Sequence, residues 1–484
     1  MKQSLFIGRK NELQQLKSLQ SKKNSNLVVL RGRRRIGKST LIQKFSEHFP
    51  FFVEIQGLSP SQFSTNQEQL DHFAAKLSLI FNSRQESFHD WTEAFHSLIQ
   101  KTKNKETLIM LDEISWMGKY DPMFSAKLKE AWDTGFSKNH KLMLVICGSV
   151  SFWIQDNILT NPAFEGRISL DMNLQELSLN EIQDFWAANQ FHMGSLEQIT
   201  LLSITGGVPK YLQEVIKTKS IEQNIINLCF HPNGFLFNEY EKIFKEIFQK
   251  KSKTMEKIVR LICEKKMTPK SLASALKTDI SSNFSDNLRI LESAGFISRD
   301  YSFHPDGSIA KLSYLRLKDN YLRFYLKYIE PQKPRIQKGG KTFQSLKDLP
   351  NFDGILGMQF ENLLLANRSL ILDYLNISSS AVITSAPYFQ MKNTKNKGSC
   401  QIDLLIHTNL DVYYLCEFKC KRSIDRNLIK EVQKKVTTIQ LPKRSSIKPI
   451  LIYEGELNPD HQSDLENYFF RMISFTDLMK SASK

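Results

Sequence analysis

The feature that most constrains the fold is a glycine-rich stretch, LRGRRRIGKST, at residues 30–40. It fits the pattern G-x-x-x-x-G-K-S, it follows an apolar run, and it opens a stretch with helical periodicity. In such a loop, backbone N–H groups and the helix N-terminus surround the phosphates of a nucleotide. Lys38 is expected to reach the β- and γ-phosphate oxygens, and Ser39 to hold Mg²⁺. The loop residues expected to bind ATP are Gly32, Arg33, Arg34, Arg35, Ile36, Gly37, Lys38, Ser39 and Thr40.

A second motif, TLIMLDEIS, places two acids at the end of an apolar run at residues 107–115. In α/β sheets, ligands collect at the carboxyl ends of the strands. Asp112 is expected to hold Mg²⁺ through water, and Glu113 to orient or deprotonate the attacking water. Two solvated carboxylates are the alternative, which the phosphate loop disfavours. The two motifs together predict ATP binding and hydrolysis.

The first 150 residues alternate short apolar runs with amphipathic stretches. The runs are NLVVLRG (26–32), FFVEI (51–55), TLIMLDE (107–113) and KLMLVICGS (141–149). Nearly continuous apolar runs are typical of strands buried on both faces of a parallel sheet. The sequence therefore predicts an α/β fold with a parallel P-loop sheet.

Shifts in pattern along the chain predict five segments. They are a P-loop ATPase core (1–172), a helical lid (173–250), a winged helix-turn-helix (251–330), a linker or exposed loop rich in Pro, Gly and Lys (331–350), and a C-terminal α/β domain (351–484). A chain of 484 residues is too long for one ordinary domain, so several are expected.

Charge and cysteine content narrow the class of protein. The net charge of +16 suggests an anionic partner such as nucleic acid, nucleotide or an acidic protein, although solubility alone could explain it. The six cysteines show no zinc-ligand spacing, so we expect reduced, mostly buried thiols. No apolar stretch approaches the roughly 20 residues of a membrane span, and no signal-peptide pattern opens the chain. We therefore expect a cytoplasmic protein with no membrane partner.

Several motifs occur in the order seen in a known family. FIGRKNELQQL, GRRRIGKST, LDEIS, CGSVSFWI, FEGRISL and TGGVPKYL lie between residues 5 and 217. In this order the chain resembles the archaeal-type ATPases, a branch of the AAA+/STAND P-loop NTPases that is also found in bacteria. The resemblance covers roughly residues 5–330.

The resemblance implies roles for residues outside the phosphate loop. Phe6, Gly8 and Arg9 would lie beside the adenine, and Ser149 would take the sensor position near the γ-phosphate. Arg167 looks like the family's arginine that stabilises transferred charge, with a surface salt bridge as the alternative. Pro209, in the GGVP turn, would sit under the base and link nucleotide state to the helices that follow. Arg33, Arg34 and Arg35 could instead form a positive rim that recruits ATP or DNA.

Residues 252–317 predict three helices and a hairpin turning at Pro305, Asp306 and Gly307. Such a winged helix often reads DNA with its third helix, here about 281–294. The exposed positions expected on that helix carry only one arginine, offset by one aspartate, which is a poor phosphate-binding face. We therefore favour a structural arm over DNA reading. The aromatic residues of 315–331 are expected to be core.

The C-terminal segment carries a set of acids and a lysine. Asp403 ends one apolar run, and Glu417 and Lys419 end the next, where alternation puts them on one strand face. Glu361 is a lone acid in the apolar helix-like stretch GMQFENLLLANR. Carboxylates that converge on one or two Mg²⁺ or Mn²⁺ ions, with a lysine beside them, are what metal-dependent phosphodiester cleavage needs.

This set resembles the site of the PD-(D/E)xK nucleases, whose restriction-endonuclease-like α/β fold is similar to the family's C-terminal domain of unknown function. Asp403 and Glu417 would hold the metal, and Glu361 and Lys419 would complete the catalytic set. One departure is that no proline–aspartate pair precedes Asp403. Residues 331–484 hold 22 Lys and Arg against 15 Asp and Glu, and Lys392, Lys395 and Lys397 could follow a phosphate backbone or form a solvated loop.

Two hypotheses for the whole chain follow. In the first, an ATPase gates or positions a C-terminal metal-dependent DNA nuclease. In the second, a STAND-type nucleotide switch binds nucleic acid or a protein without cutting. The complete acid and lysine set favours the first. A helicase motor is disfavoured because only one NTPase core is present. A monomer or low oligomer is expected.

Overall fold

The computed structural model describes residues 6–22, 24–59, 65–150, 152–248, 252–304, 307–340, 343–391 and 398–482. The chain divides into two compact units. The first unit holds Met1–Glu176, Ile243–Ser252 and Arg289–Ala294, and the second holds Leu177–Lys242, Lys253–Leu288 and Gly295–Lys484.

A five-stranded sheet forms the centre of the first unit. Its strands are β1 (Asn26–Gly32), β2 (Phe51–Gln56), β3 (Thr107–Asp112), β4 (Leu142–Ser149) and β5 (Ile168–Leu174). They lie in the order β2-β3-β4-β1-β5, and each neighbouring pair is parallel. Strands β3 and β4 are buried along their whole length, as the apolar runs predicted. The parallel α/β sheet is therefore confirmed.

Strand β5 was not predicted as a strand, because its residues alternate between partly buried and exposed. It pairs only with β1 and lies at the edge of the sheet, where one side remains open to polar residues. A strand of this kind lacks the nearly continuous apolar run that marks the other four strands of this sheet.

Helices cover both faces of this sheet, and two hydrophobic clusters fill the space between helices and strands. The α-helices are Lys10–Ser21, Lys38–Ser46, Asn66–Phe81, Trp91–Thr102, Ile114–Met117, Phe124–Thr134 and Phe152–Ile154. Shorter turns lie at Gly118–Tyr120, Phe136–Lys138, Gln155–Leu159 and Pro162–Phe164. The carboxyl ends of β1, β3 and β4 carry the predicted nucleotide-binding motifs.

The second unit begins with helices and continues with a two-stranded hairpin. The helices are Leu179–Ala188, Ser195–Thr205, Pro209–Gln213, Ile221–Cys229 and Pro269–Ala275. Three further helices have residues in both units, namely Glu239–Phe248, Ser252–Glu264 and Ser282–Ser293. The hairpin consists of the antiparallel strands β6 (Ile297–Phe303) and β7 (Ile309–Leu317). Helices and hairpin follow the predicted order, although Pro305 and Asp306 of the predicted turn lie outside the described residues.

The segment predicted as a linker at 331–350 differs from the structure. Helix Asn320–Phe324 continues through Tyr325–Ile329 into helix Glu330–Gln337, and a short turn forms at Leu346–Asp348. Pro331 and Pro334 both lie inside this continuous helical stretch, although proline lacks the N–H for an intrahelical hydrogen bond. Proline content was therefore a poor guide to structure here. The aromatic residues before this segment are core, as predicted: Tyr321, Phe324, Tyr325 and Tyr328 are buried.

A second five-stranded sheet lies in the C-terminal part of the second unit. Its strands are β8 (Val382–Gln390), β9 (Cys400–Thr408), β10 (Val412–Ile424), β11 (Ser446–Leu457) and β12 (Arg471–Ser474). The order is β12-β11-β10-β9-β8, antiparallel from β8 to β10 and parallel from β10 to β12. The helices are Phe352–Ala366, Arg368–Tyr374, Asn427–Thr438, Gln462–Tyr468 and Phe475–Ala482.

The state of the cysteines and the lack of membrane-spanning helices were also predicted from the sequence. All six cysteines are free, and four of them are buried, as predicted. Among the described residues, no helix combines the length and apolar character needed to cross a bilayer.

Candidate functional site

The phosphate loop joins β1 to helix Lys38–Ser46. Gly37 caps this helix with a φ of 92°, a left-handed conformation that favours glycine. Gly32 packs so tightly that a Cβ atom there would lie 2.7 Å from the carbonyl oxygen of Leu174. The buried Lys38 donates from Nζ to the carbonyl oxygens of Gly32 and Arg33, each at 3.2 Å. The loop therefore folds back on its own lysine and holds the ammonium group inside the curve of the backbone.

The predicted metal-binding hydroxyl and carboxylate meet at the end of the sheet. Ser39 Oγ donates to Asp112 Oδ2 at 2.7 Å, although the two residues lie 73 positions apart. The Glu113 backbone N–H donates to Asp112 Oδ1 at 2.9 Å and fixes the carboxylate. A hydroxyl and a carboxylate at this separation are oxygen ligands that Mg²⁺ accepts beside nucleotide phosphates. This pair therefore fits a magnesium ion.

Glu113 follows β3 in a left-handed backbone conformation with a φ of 50°. Burial raises the pKa of its carboxyl group, against the opposing charge of Lys38, while Asp112 raises the pKa further and Arg34 and the Ser149 backbone N–H lower it. Ser149 ends β4 directly beside Gly32 of β1. The structure thus brings Glu113, Lys38 and Ser149 together.

The arginine triplet does not form a uniform positive rim. Arg33 is buried, and its Nη1 atom lies 2.8 Å from Glu176 Oε1. The alternative that all three arginines form an exposed rim is therefore wrong for Arg33, because its charge is neutralised inside the unit. Arg34 and Arg35 are half-buried, and Ile36 packs its side chain into the core below the sheet. Thr40 is exposed on the first turn of the helix.

Arg9 forms a hydrogen bond with the backbone of the phosphate loop. It is buried, with a φ of 60°, and its Nη2 atom donates to the carbonyl oxygens of Ile36 at 3.1 Å and Gln175 at 2.7 Å. Gly8 precedes it with a φ of 77°, and Phe6 packs against the core that contains Ile36. The sequence associated these residues with adenine but gave no sign of the contact with Ile36. A hydrogen bond to a backbone carbonyl leaves no residue pattern that could have revealed it.

Arg167 forms an ion pair with Asp133. Nε lies 2.7 Å from Oδ1 and Nη2 lies 3.0 Å from Oδ2, a bidentate arrangement. The arginine lowers the pKa of Asp133 to about 2. Both side chains are about one-third exposed. The salt bridge left open by the sequence is thus present. Pro209 begins helix Pro209–Gln213 in the second unit.

In the second unit, β9 and β10 bring the C-terminal acids together. Cys416 pairs with Leu404 across the two antiparallel strands, which places Glu417 beside Asp403. Asp403 Oδ2 accepts a hydrogen bond of 2.9 Å from the Phe418 backbone N–H. Lys419 Nζ lies 2.9 Å from Glu417 Oε1. Three members of the predicted set are therefore neighbours.

Removal from water raises the pKa of Asp403 to about 7, and the charges of Glu417 and Glu361 raise it as well. Lys435 and the Phe418 N–H act in the opposite direction. Two carboxylates in one partly dry site resist ionising together. A bound cation would relieve this repulsion, so the pair fits a divalent metal ion. Within the described ranges, however, no three His, Cys, Asp or Glu residues are arranged to hold a metal ion.

Lys435 is a member of this cluster that the sequence did not single out. It lies on helix Asn427–Thr438, and its Nζ atom is 2.6 Å from Glu417 Oε2. The buried Glu417 therefore contacts a different lysine with each carboxylate oxygen. The lysine-rich composition of this helix was visible in the sequence, but the contact depends on how the helix packs against β10. A cavity of about 400 Å³ opens beside the cluster and is lined by residues that include Asp403, Glu431 and Lys435.

Glu361 has its closest ionic partner outside the C-terminal domain. Lys266 Nζ lies 2.7 Å from Glu361 Oε1, and Lys266 belongs to the segment predicted as the winged helix. Glu361 is close enough to Asp403 to raise its pKa. Two further lysines, Lys266 and Lys435, therefore contact the predicted set of three acids and one lysine.

A buried polar network holds the helix that carries Glu361. Gln359 Nε2 donates to the carbonyl oxygens of Ser203 at 3.0 Å and Asn320 at 2.8 Å. Arg323 Nε donates to Gln359 Oε1 at 3.1 Å. On the next turn, Asn362 Nδ2 donates to the carbonyl oxygen of Leu317 at 3.0 Å. These bonds fix helix Phe352–Ala366 against three other segments of the second unit.

Three lysines that the sequence analysis singled out precede β9. Lys392, Lys395 and Lys397 lie outside the described residues, so their proposed contact with a phosphate backbone stays a prediction.

Two proteins of one archaeon are similar to this chain. An uncharacterized protein of Methanocaldococcus jannaschii is 24% identical over 363 residues, covering 74% of this chain and 76% of the relative. An uncharacterized ATP-binding protein of the same organism is 46% identical over 44 residues, covering 9% of this chain and 75% of the relative.

Similar solved structures include a Walker-type ATPase of Pyrococcus abyssi, with a TM-score of 0.47 and 17% identity, covering 66% of this chain and 96% of the other. The ORC2 protein of Aeropyrum pernix has a TM-score of 0.40 and 13% identity, covering 70% and 97%.

The family comparison covers the residues that build the loop, the acids of β3 and Ser149. Residues 6–215 match the model of an ATPase domain predominantly from Archaea. The first of these residues include Arg9, and the last include Pro209. Residues 6–215 are therefore similar to the ATPase domains found predominantly in Archaea.

Proposed function

We propose that this archaeal-type ATPase hydrolyses ATP with Lys38, Ser39, Asp112 and Glu113. We further propose that the nucleotide state regulates the C-terminal cluster of Glu361, Asp403, Glu417 and Lys419, which we call the acid site. The contact that supports the first half is the 2.7 Å hydrogen bond between Ser39 and Asp112 beside the buried Lys38. Lys38 is placed to bind phosphate oxygens, because its ammonium group now rests on backbone carbonyls of the same loop. A nucleotide phosphate would replace those weak neutral partners with charged ones.

In this proposal Glu113 receives the proton of the attacking water. Its raised pKa makes it a stronger base than an ordinary glutamate, which favours proton transfer near neutral pH. Ser39 and Asp112 would hold Mg²⁺, which supplies neutralisation of the phosphate charge when bound. Ser149 holds Glu113 through its backbone N–H and is proposed to sense the γ-phosphate. Phe6, Gly8, Arg9 and Pro209 remain proposed contacts of the base.

Arg167 is the proposed group that stabilises the transferred charge. It now donates two hydrogen bonds to Asp133, so it would have to leave this partner to reach a phosphate. The pair is partly exposed, so solvent screens its attraction and can replace the lost hydrogen bonds.

Regulation of the C-terminal site is supported by the position of Ser203. This residue belongs to the ATPase domain by sequence, yet its carbonyl oxygen accepts the hydrogen bond from Gln359 on the helix that carries Glu361. Two further contacts join the same parts: Ser195 Oγ donates to Glu454 Oε1 at 2.7 Å, and the Leu179 N–H donates to Asn367 Oδ1 at 2.8 Å. A movement of these helices would therefore shift the helix that carries Glu361 and so change the acid site.

For the C-terminal site we propose metal-dependent cleavage of DNA. The neighbouring Asp403 and Glu417, with Lys419 beside them, support this chemistry, and so does a sheet in which three antiparallel strands precede a helix and a parallel strand. Asp403 and Glu417 would hold Mg²⁺ or Mn²⁺, which supplies charge neutralisation at the scissile phosphate when bound. Lys419 would orient water or stabilise developing negative charge, and Glu361 would support Asp403. Mg²⁺ commonly uses only one or two protein carboxylates beside phosphates, so a third ligand is not required.

The alternative function is a nucleotide switch that binds nucleic acid or a protein without cutting. The specific observation that favours it is the occupation of both Glu417 oxygens by lysines, at 2.9 and 2.6 Å. A glutamate neutralised in this way can serve structure alone, since a buried acid needs such partners to stay charged.

The experiment is cleavage of plasmid and single-stranded DNA with Mg²⁺ or Mn²⁺, with and without ATP. We would compare the wild type with Lys419→Ala and with Lys38→Ala. Lys421→Ala is the matched control, because Lys421 is an exposed lysine on the same strand two residues further on. Cleavage lost in Lys419→Ala but kept in Lys421→Ala supports the nuclease, and a change in Lys38→Ala supports regulation by nucleotide. ATP hydrolysis without any DNA cleavage would instead support the nucleotide switch that binds without cutting.

A further inference from the structure

Three cations lie in a row on helix Asn427–Thr438 and its N-cap. Arg426, Lys430 and Lys434 are spaced four residues apart, so they follow one face of the helix with steps of about 6 Å. All three are exposed. We call this row the basic strip.

The basic strip is not neutralised by acids. Within the part of the chain that the structure describes, none of its three residues forms an ion pair, whereas the neighbouring Lys435 and Lys419 contact Glu417. Glu431, which lies between Lys430 and Lys434 in the sequence, is 3.4 Å from Lys419. Lys419 and Lys435 are therefore paired with acids, whereas the strip presents its positive charge to solvent.

One end of the strip leads into the acid site. Lys434 lines the cavity of about 400 Å³ that also reaches Asp403 and Lys435. Lys430 and Arg426 continue away from the cavity towards the helix N-terminus. A polyanion bound along the strip would therefore have one end, or one unit at a bend in its chain, beside the carboxylates.

We propose that the basic strip binds the phosphate backbone of a single nucleic-acid strand and feeds it to the cavity beside Asp403. Regularly repeated cations suit a polymer with one phosphate per residue. A cavity of this volume holds a ligand of roughly nucleotide size, which a flexible single strand supplies more readily than a duplex. This inference rests on the proposed role of the acid site and names its substrate as a flexible strand.

A membrane surface is a poorer match for the same charges. The apolar side of the helix, with Leu428 and Val432, packs into the core of the domain and is not available for insertion between lipids. An acidic protein segment does not carry one charge per residue at a regular spacing, so it matches the repeat of the strip less well than a nucleic-acid strand does.

The test measures binding of the full chain to single-stranded DNA in EDTA, where metal-dependent cleavage is not required. The strip variant carries Arg426→Gln, Lys430→Gln and Lys434→Gln. The control carries Lys22→Gln, Lys103→Gln and Lys138→Gln, which remove the same charge from exposed residues before β1, β3 and β4, at the sheet end opposite the phosphate loop. Affinity is measured against salt for the single strand and for its duplex.

We expect the strip variant to bind the single strand about tenfold or more weakly and to lower the slope of log affinity against log salt by about 2, the value for three lost contacts with a single strand. The control triple should leave that slope unchanged. Lys434→Glu alone should weaken binding too, and far-UV circular dichroism checks that each variant is folded. Asp403→Asn should bind at least as well as the wild type, whether or not the site cuts DNA.

Several results would overturn the inference. They are the absence of single-strand binding by the wild type, equal slope changes in the strip and control variants, and equal losses for duplex and single strand. None of them bears on cleavage, so the nuclease proposal is judged separately by Lys419→Ala.

Discussion

Gln359 donates a hydrogen bond of 3.0 Å from its side-chain amide to the carbonyl oxygen of Ser203, 156 residues earlier in the chain. Gln359 is fully buried. Its partner lies within the segment that matches the ATPase domain, while Gln359 lies two residues before Glu361. Within the second unit, the hydrogen bond therefore joins the last part of the segment that matches the ATPase family model to the helix that carries Glu361.

We expect Gln359→Leu to lower the free energy of unfolding by about 1–3 kcal/mol, because buried polar groups lose their hydrogen-bond partners. The groups affected are the carbonyl oxygens of Ser203 and Asn320 and the guanidinium of Arg323. Urea unfolding measures the change. Gln433→Leu on the exposed face of helix Asn427–Thr438 is the control and should change stability little. Equal effects of the two substitutions would show that the network contributes nothing specific.

Glu113→Gln should lower kcat for ATP hydrolysis by about 10²–10⁴-fold, the range for loss of a general base, while nucleotide binding is retained. Lys38→Ala should lower both hydrolysis and binding, because its ammonium group is placed to contact the phosphates. Phosphate release and equilibrium nucleotide binding separate the two effects. Lys44→Ala, on the exposed side of the same helix, is the control. Full activity of Glu113→Gln would remove Glu113 from the mechanism.

Arg167 and Asp133 allow the catalytic and structural roles of an ion pair to be separated. If Arg167 stabilises transferred charge, Arg167→Ala should lower kcat by about 10³-fold or more, as for other arginines in phosphoryl transfer. Asp133→Ala should preserve or raise kcat, because it releases the guanidinium from its bidentate partner. Steady-state hydrolysis by both variants decides the question. Equal, small losses of stability with unchanged kcat in both would assign the pair to structure alone.

The phosphate site could be predicted from the sequence because its chemistry is local. Gly37, Lys38 and Ser39 are contiguous, and Asp112 follows a run of apolar residues, so sequence order alone placed them at one sheet edge. The parts that the sequence did not reveal depend on packing between distant segments. Lys266 approaches Glu361 across 95 residues, and Arg9 contacts a backbone carbonyl, so neither contact leaves a local pattern.

The error over 331–350 has a different cause. Proline and lysine content suggested an open linker, but buried side chains of Ile336 and Leu346 hold this segment against the rest of the unit. Composition reports the average preference of a segment, whereas two or three apolar side chains can decide its conformation.

Asp403 should make the stability of the protein depend on pH in the direction opposite to that of an ordinary paired carboxylate. Its pKa rises from 3.8 to about 7 on folding. Between these values the unfolded chain releases the proton while the folded protein keeps it. The free energy of unfolding therefore falls as pH rises from about 4 to about 7, and the stability present at low pH is lost as pH passes the folded pKa.

Asp403→Asn should remove this fall, because an amide does not ionise. We expect the variant to gain stability relative to the wild type between pH 5 and pH 8, measured by thermal unfolding in EDTA. Asp460→Asn, which changes an exposed acid of the same domain, is the control and should follow the wild type at both pH values. A stability difference between wild type and Asp403→Asn that is the same at pH 5 and pH 8 would show that the carboxyl titrates normally.

The same pair of proteins tests whether the acids accept a metal ion. Mg²⁺ or Mn²⁺ competes with the proton for Asp403, so at pH 8 the metal should raise the Tm of the wild type in proportion to the logarithm of its concentration. Asp403→Asn should lose this response, because an amide is a weaker ligand than a carboxylate. Since Lys38, Ser39 and Asp112 are intact in both proteins, the difference between them isolates the C-terminal site from the ATPase site. A metal response of equal size in both proteins would assign all binding to the phosphate loop and leave Asp403 and Glu417 as a pair neutralised by lysines.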